Sequence, residues 1–249
     1  MFNIQGEGSA VIINSIAVMQ PYFFPYIGYF QLINSVDLFV SFDDVNFIKK
    51  GWIHRNRILL NGSDHQISLP IQKMSQNKKI NESFIFEPKK EKDLLVNLIE
   101  VAYRKKAQYF EENFEFIKSL ILIDDENIAV YNTNILKKLS AYLNIRTNFV
   151  YSSQLPVDNS LTGQDRIMAI VKFFGARRYV NAAGGSELYN ANYFSSQNIR
   201  LEFVSVLPLS YVQGADQFIP NLSIIDALFF MGRSKLTSLI KNYSTQNYV

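Results

Sequence analysis

The stretch DDVNFIKKGWIHRNR, residues 43–57, carries the densest local charge in the chain. Lys49, Lys50, Arg55 and Arg57 surround Trp52, and Asp43 and Asp44 precede them. Arginine presents a planar fork that grips phosphate or carboxylate through paired hydrogen bonds, and lysine a compact positive charge. Trp52 could stack on a base or a sugar. His54, one of only two histidines, could serve as a general acid or base near neutral pH, oriented by Asp43 or Asp44. The plainer alternative is a solvated ribbon whose cations pair with the two aspartates, an arrangement worth little at a surface.

Two further stretches have the make-up of ligand-binding turns. In MQPYFFPYIGYFQLI, residues 19–33, Gln20 and Pro21 follow an apolar run, Pro25 suits a helix's first turn, and Gly28 lets another group approach the backbone. A plain core helix would leave Gln20 unexplained. In NAAGGSELY, Asn181 to Tyr189, Gly184 and Gly185 would free the backbone to meet a phosphate or sugar, although a bare glycine pair equally makes a tight turn. Downstream, Tyr211 and Gln213 precede FIPNLSIIDALFFMG, where Ser223 and Asp226 have capping-box spacing and Gly232 suits a helix stop. No zinc site is expected, because the chain has no cysteine and no close histidine pair. Asp43 and Asp44 could hold Mg²⁺, and no cofactor is indicated.

These residues need elements that bring them together. Ser15 to Met19 reads as a buried strand and the segment from Pro25 as a helix, with Tyr26, Phe30 and Ile33 at helical spacing. DLFVSF completes a strand–helix–strand unit with parallel strands. Gln20 then lies beyond the carboxyl end of a parallel strand, where open α/β sheets bind ligands and a helix start favours an anion. WIHRNRILL and HQISLPI, joined by Asn61-Gly62, read as a hairpin in which Trp52, His54 and Asn56 share a face. SFIFEP reads as an added edge strand. Residues 89–144 read as three helices, after which NFVY, DRIMAIVKFFG, RYVNA, a short helix near Asn192 and LEFVSV restore the strand–helix alternation. The expected fold is α/β, a Rossmann-like parallel sheet with a β-hairpin and a helical insertion. Its parts are an N-terminal α/β portion (15–88), the insertion (89–145) and a C-terminal portion of the same sheet (146–249).

Composition sets the outer limits. At 249 residues and 48% hydrophobic, the chain can bury a core and is not of the disordered class. Its 25 basic and 22 acidic residues nearly cancel, so no global field draws it to nucleic acid or anionic lipid. The charge-free run from Gly8 to Val36 is interrupted by Gln20, Pro21, Pro25, Gln31 and Asn34, so no transmembrane segment is expected. The absence of cysteine and of a basic leader fits a cytoplasmic location. Oligomeric state is not legible.

Taken together, AVMQPYFFPYIGYFQLI, DLFVSFDDVNFIKKGWIHRNRI, YVNAAGGSELY and FIPNLSIIDALFFMG resemble the WbqC-like family of bacterial proteins, in the same order, from about Ile16 to near Lys241, with the first fourteen residues outside it. Members occur with genes for O-antigen and other surface polysaccharides. The resemblance implies a cytoplasmic transferase of surface-glycan (lipopolysaccharide) assembly that moves an acyl or aminoacyl group to a nucleotide-linked amino sugar. In that picture Lys50, Arg55 and Arg57 bind phosphates of the sugar nucleotide or of an acyl carrier, and Trp52 and Tyr22 stack on base or sugar. His54, with Asp43 or Asp44, handles the amine proton, while Gln20 or backbone N–H groups hold the oxyanion. The first motif is also similar in layout to nucleotidylyl transferases, but Tyr26 and Tyr29 stand where that superfamily has its phosphate-binding histidines. The alternatives are a non-catalytic ligand-binding or scaffold protein of the glycan pathway and a diverged nucleotidylyl transferase.

Overall fold

A computed structural model describes residues 12–206 and 210–247; of the fourteen residues outside the resemblance, 1–11 lie outside the described ones. Strand β1 (Ser15–Met19) is small and β-branched, fit for burial on both faces, and its neighbours are β2 (Leu38–Ser41) and β6 (Arg178–Ala182), both parallel to it. The six-stranded sheet runs β5-β2-β1-β6-β7-β8, with β5 Asn148–Tyr151 and β7 Arg200–Val206. Only β8 (Tyr243–Asn247) is antiparallel. This is the Rossmann-like layout expected from the alternation of elements.

Period-two alternation assigns each strand residue to a layer. Ile16, Val18, Leu38 and Val40 pack with Ile167, Ile170 and Val171 of α5 (Gly163–Phe173) and Phe194 of α6 (Ala191–Ser196). Ala17, Phe39, Val180 and Val204 face the other core, with α1 (Ile27–Asn34) and α7 (Ile224–Ile240). That core continues into α2 (Pro88–Tyr103), α3 (Phe110–Ile121), α4 (Ile128–Tyr142) and a separate hairpin, β3 (Arg55–Leu60) and β4 (Ser63–Ser68). Asn61 and Gly62 take φ of 52° and 80° at its tip, the positive angles such a turn demands. No helix among the described residues is long and apolar enough to cross a membrane.

Several local readings need correction. Pro25 precedes α1 instead of opening it: Tyr26 is the N-cap, and the Pro25 carbonyl accepts a hydrogen bond from the Ile224 N–H (2.9 Å). SFIFEP forms no strand, only isolated bridges from Phe84 to Asn127 and from Ile85 to Ile71. The hairpin strand starts at Arg55, so the alternation assumed for Trp52 and His54 does not apply to them. Ser223 caps α7, accepting from the Ile225 N–H, but Asp226 points away from the helix start. Gly232 breaks the helix without ending it, at φ 74° and ψ 163°, and helix resumes to Ile240.

Candidate functional site

Strands β1 and β6 lie side by side at the sheet's centre, but the chain leaves β1 for β2 on one flank and β6 for β7 on the other. Such a switch point opens a crevice at the carboxyl strand ends. A cavity of about 740 Å³ fills it here. Its floor comes from the end of β1 (Val18, Met19), from Gln20 just after it, and from β6 (Asn181, Ala182). One wall is the first-motif turn with Tyr22, Pro25, Tyr26 and Tyr29, and the opposite wall is the start of α5 with Gly163, Gln164 and Ile167. Trp52, Asn56 and Arg57 enter from the ribbon, and Gly184, Gly185, Leu188 and Tyr189 from the segment after β6.

The turn and the ribbon are laced together by carboxamides. The Phe23 N–H donates to the Trp52 carbonyl (2.8 Å). Asn56 Nδ2 donates to the carbonyls of Phe23 (2.9 Å) and Phe24 (2.8 Å), and Ser223 Oγ also donates to Phe24 (2.8 Å). Phe24 has φ 40°, a left-handed angle that costs a side-chain-bearing residue about 1–3 kcal/mol and persists because two donors hold its carbonyl. Asn132 of α4, wholly buried, donates to Pro21 (2.8 Å) and Ile53 (2.7 Å), bracing turn and ribbon at once.

Arg57 is the only ionised side chain among the lining residues described. Its Nη1 pairs with Asp64 at 3.0 Å across the exposed hairpin, its Nε is buried without a hydrogen-bond partner, and its guanidinium sits 6.0 Å from the Trp52 ring centre. An anion entering the cavity would therefore meet a half-exposed guanidinium beside an aromatic face. Tyr29 donates to the Gln20 carbonyl (2.5 Å), and its ring lies 5.3 Å from that of Tyr22. Burial pushes the phenols of Tyr22, Tyr26 and Tyr29 up, which keeps them protonated donors at neutral pH. On the floor, Asn181 Nδ2 donates to Tyr189 (2.9 Å) and to Tyr179 (3.3 Å).

The cavity thus brings together Gln20, Tyr22, Pro25, Tyr29, Trp52, Asn56, Arg57, Gly184, Gly185 and Tyr189 of the residues singled out in the sequence. The others lie off its lining. Gly28 is buried within α1. Lys50 is exposed, and its carbonyl and that of Gly51 take hydrogen bonds from Arg55, which folds back to close the loop. His54 is 7% exposed, packed 5.4 Å from the Phe47 ring with Nδ1 unpartnered. Burial, with a smaller push from Arg55, lowers its pKa to about 4, so it is neutral at physiological pH. Asp43 accepts from Ser153 Oγ (2.7 Å) and N–H (3.0 Å), and Asp44 pairs with buried Arg166 at 2.9 Å. Tyr211 (2.6 Å) and Gln213 (3.0 Å) donate to the buried Asp226 carboxylate.

Among lining residues that sequence reasoning passed over, Gln164 and Gly163 carry a readable signal: α5 follows the parallel strand β5, which puts its start at the crevice. Asn132, which braces the walls without lining the cavity, carries none.

Against known proteins, the chain is 27% identical over 220 residues to the uncharacterized protein Rv1507c of Mycobacterium tuberculosis, an alignment covering 87% of this chain and 94% of that one. No solved structure matches it. The model of the WbqC-like protein family matches residues 20–238, a span that contains every cavity-lining segment except the end of β1. The chain belongs to the WbqC-like protein family.

Proposed function

We propose that the protein is a cytoplasmic transferase of bacterial surface-glycan assembly, placing an acyl or aminoacyl group on the amine of a nucleotide-linked sugar held in the switch-point cavity. The observation that supports this reading is the meeting of three sequence-distant turns, at Gln20, at Trp52–Arg57 and at Gly184–Gly185, around one hollow whose described lining has a single cation, half-exposed Arg57. Arg57 meets a phosphate oxygen and Trp52 stacks on the base or sugar. The amine nitrogen attacks the acyl carbon of a thioester donor; the C–N bond forms, the C–S bond breaks, and the amine proton leaves with the departing thiolate. Gln20, at the open end of β1, donates to the oxyanion that develops on the acyl oxygen. His54, Asp43 and Asp44 have no part in this scheme, because their side chains face other partners.

The test is mass spectrometry of the purified protein incubated with UDP- and dTDP-amino sugars and thioester donors. An acylated sugar nucleotide is expected, and Arg57→Ala should lower kcat/KM at least tenfold through KM. A second reading is favoured by one observation: the lining residues described include no Asp, Glu, His or Lys, which suits a protein that binds its ligand without turnover. Binding of the sugar nucleotide with no product from any donor would select that reading.

A further inference from the structure

The lining has a gradient from mouth to interior. Leu188 (72% exposed), Ile48 (49%) and Trp52 (39%) stand at the rim, with exposed Lys49 and Lys50 between the last two in the chain. Val18, Tyr29, Leu32 and Ile167 are at most 4% exposed and form the deep part. Two carboxamides of the lining, Asn56 and Asn181, have their hydrogen bonds committed inside the protein. Asn56 Nδ2 serves two carbonyls and its Oδ1 accepts from the Arg57 N–H (2.8 Å). Asn181 Nδ2 serves two phenols and its Oδ1 accepts from the Ala182 N–H (2.7 Å). A sugar ring or nucleobase pushed past them against Val18, Leu32 and Ile167 would trade water for side chains that offer no hydrogen bond. A hydrocarbon group would lose nothing and would gain the burial of its own surface.

We infer that the interior of this cavity is an acyl slot: it takes the apolar acyl chain of a phosphorylated thioester donor, whose phosphates remain outside by Lys49 and Lys50, leaving Arg57 to the sugar nucleotide. This rests on the reading that the cavity is the substrate site, and it assigns the nucleotide sugar to the rim. Trp52 is the chain's only tryptophan, so its fluorescence reports occupancy of the cavity directly.

The experiment titrates the full-length protein with coenzyme A and with its acetyl, butyryl, hexanoyl and octanoyl thioesters, and separately with UDP-N-acetylglucosamine, following Trp52 emission with calorimetry alongside. Affinity should rise about fourfold for each methylene that the slot buries, until the slot is full. Ile167→Phe, which narrows the interior, should abolish the gain for octanoyl and spare acetyl. If that variant fails to fold, the wild-type series decides alone. A flat series with the nucleotide sugar still bound overturns the acyl slot and leaves the proposed function standing. No binding by any of these ligands overturns both.

Discussion

His54 gives the sharpest physical test, because burial holds its imidazole at a pKa of about 4 against an ordinary 6.5. In the folded chain it stays neutral down to about pH 4, whereas in the unfolded chain it takes a proton as pH falls through 6.5. The unfolded state therefore binds more protons throughout this window, and the His54 contribution is intact above pH 6.5 and fully lost below pH 4. At about 1.36 kcal/mol per pKa unit the loss is about 3 kcal/mol. Urea unfolding of wild type and His54→Leu at half-unit steps from pH 7.5 to 4 isolates it, since carboxylate titration and His65 are common to both proteins. At pH 7.5 the two should agree within about 1.5 kcal/mol, as a swap of similar volume that removes no hydrogen bond from Nδ1. Toward pH 4 the variant should gain on wild type by about 3 kcal/mol. A difference that stays flat across the range would refute the burial argument. The same variant addresses the general-base role: ligand binding and turnover should survive it, and a loss of turnover with folding intact would return His54 to the catalytic scheme.

Two further substitutions probe the frame around the cavity. Asn132→Ala strips the donors from two buried carbonyls, at Pro21 and Ile53, and should cost about 3 kcal/mol in chemical unfolding; it should also shift Trp52 emission and weaken ligand binding although Asn132 touches no ligand. Gly232→Ala puts a Cβ 2.8 Å from the Tyr109 ring at backbone angles nearly reserved to glycine, so the melting temperature should fall by several degrees; adding Tyr109→Ala should fail to restore it, because the backbone penalty remains.

The sheet was legible because its signals are local. Ser15–Met19, DLFVSF and RYVNA are short apolar runs between helical stripes, and Asn61-Gly62 names its own turn. Strand β8 was not legible: YSTQN has exposed side chains after the first residue, and only its pairing along β7 makes it a strand. SFIFEP erred the other way, with strand-like side chains but a backbone that meets different partners on each side. At the site, Gln20 and the glycine pair read as following strands, and they line the cavity directly after parallel strands, where topology alone fixes position. The directions of Asp43 and Asp44 depend on Ser152, Ser153 and Arg166, more than 100 residues away in the chain, and no spacing announces those partners.

Those partnerships explain how a cavity with one charge can sit in a chain that is 19% charged. Arg166 spans from Asp44 to the carbonyls of Val157 and Asp158, which fixes the segment leading into α5. Asp43 grips Ser152 and Ser153 just after β5. The two acids after β2 thereby set where α5 begins, and α5 begins at the cavity wall. On the other side, Asp226 gathers Tyr103 and Tyr211, and Tyr103 in turn accepts from the Leu59 N–H of the ribbon (3.1 Å). A buried ion pair adds little net stability over a hydrocarbon replacement, but breaking one leaves an uncompensated charge. Such groups therefore fix geometry more than they add stability. Asp43, Asp44, Arg166 and Asp226 thus hold the walls from behind, and among the described residues Arg57 is the one ionised side chain that lines the cavity.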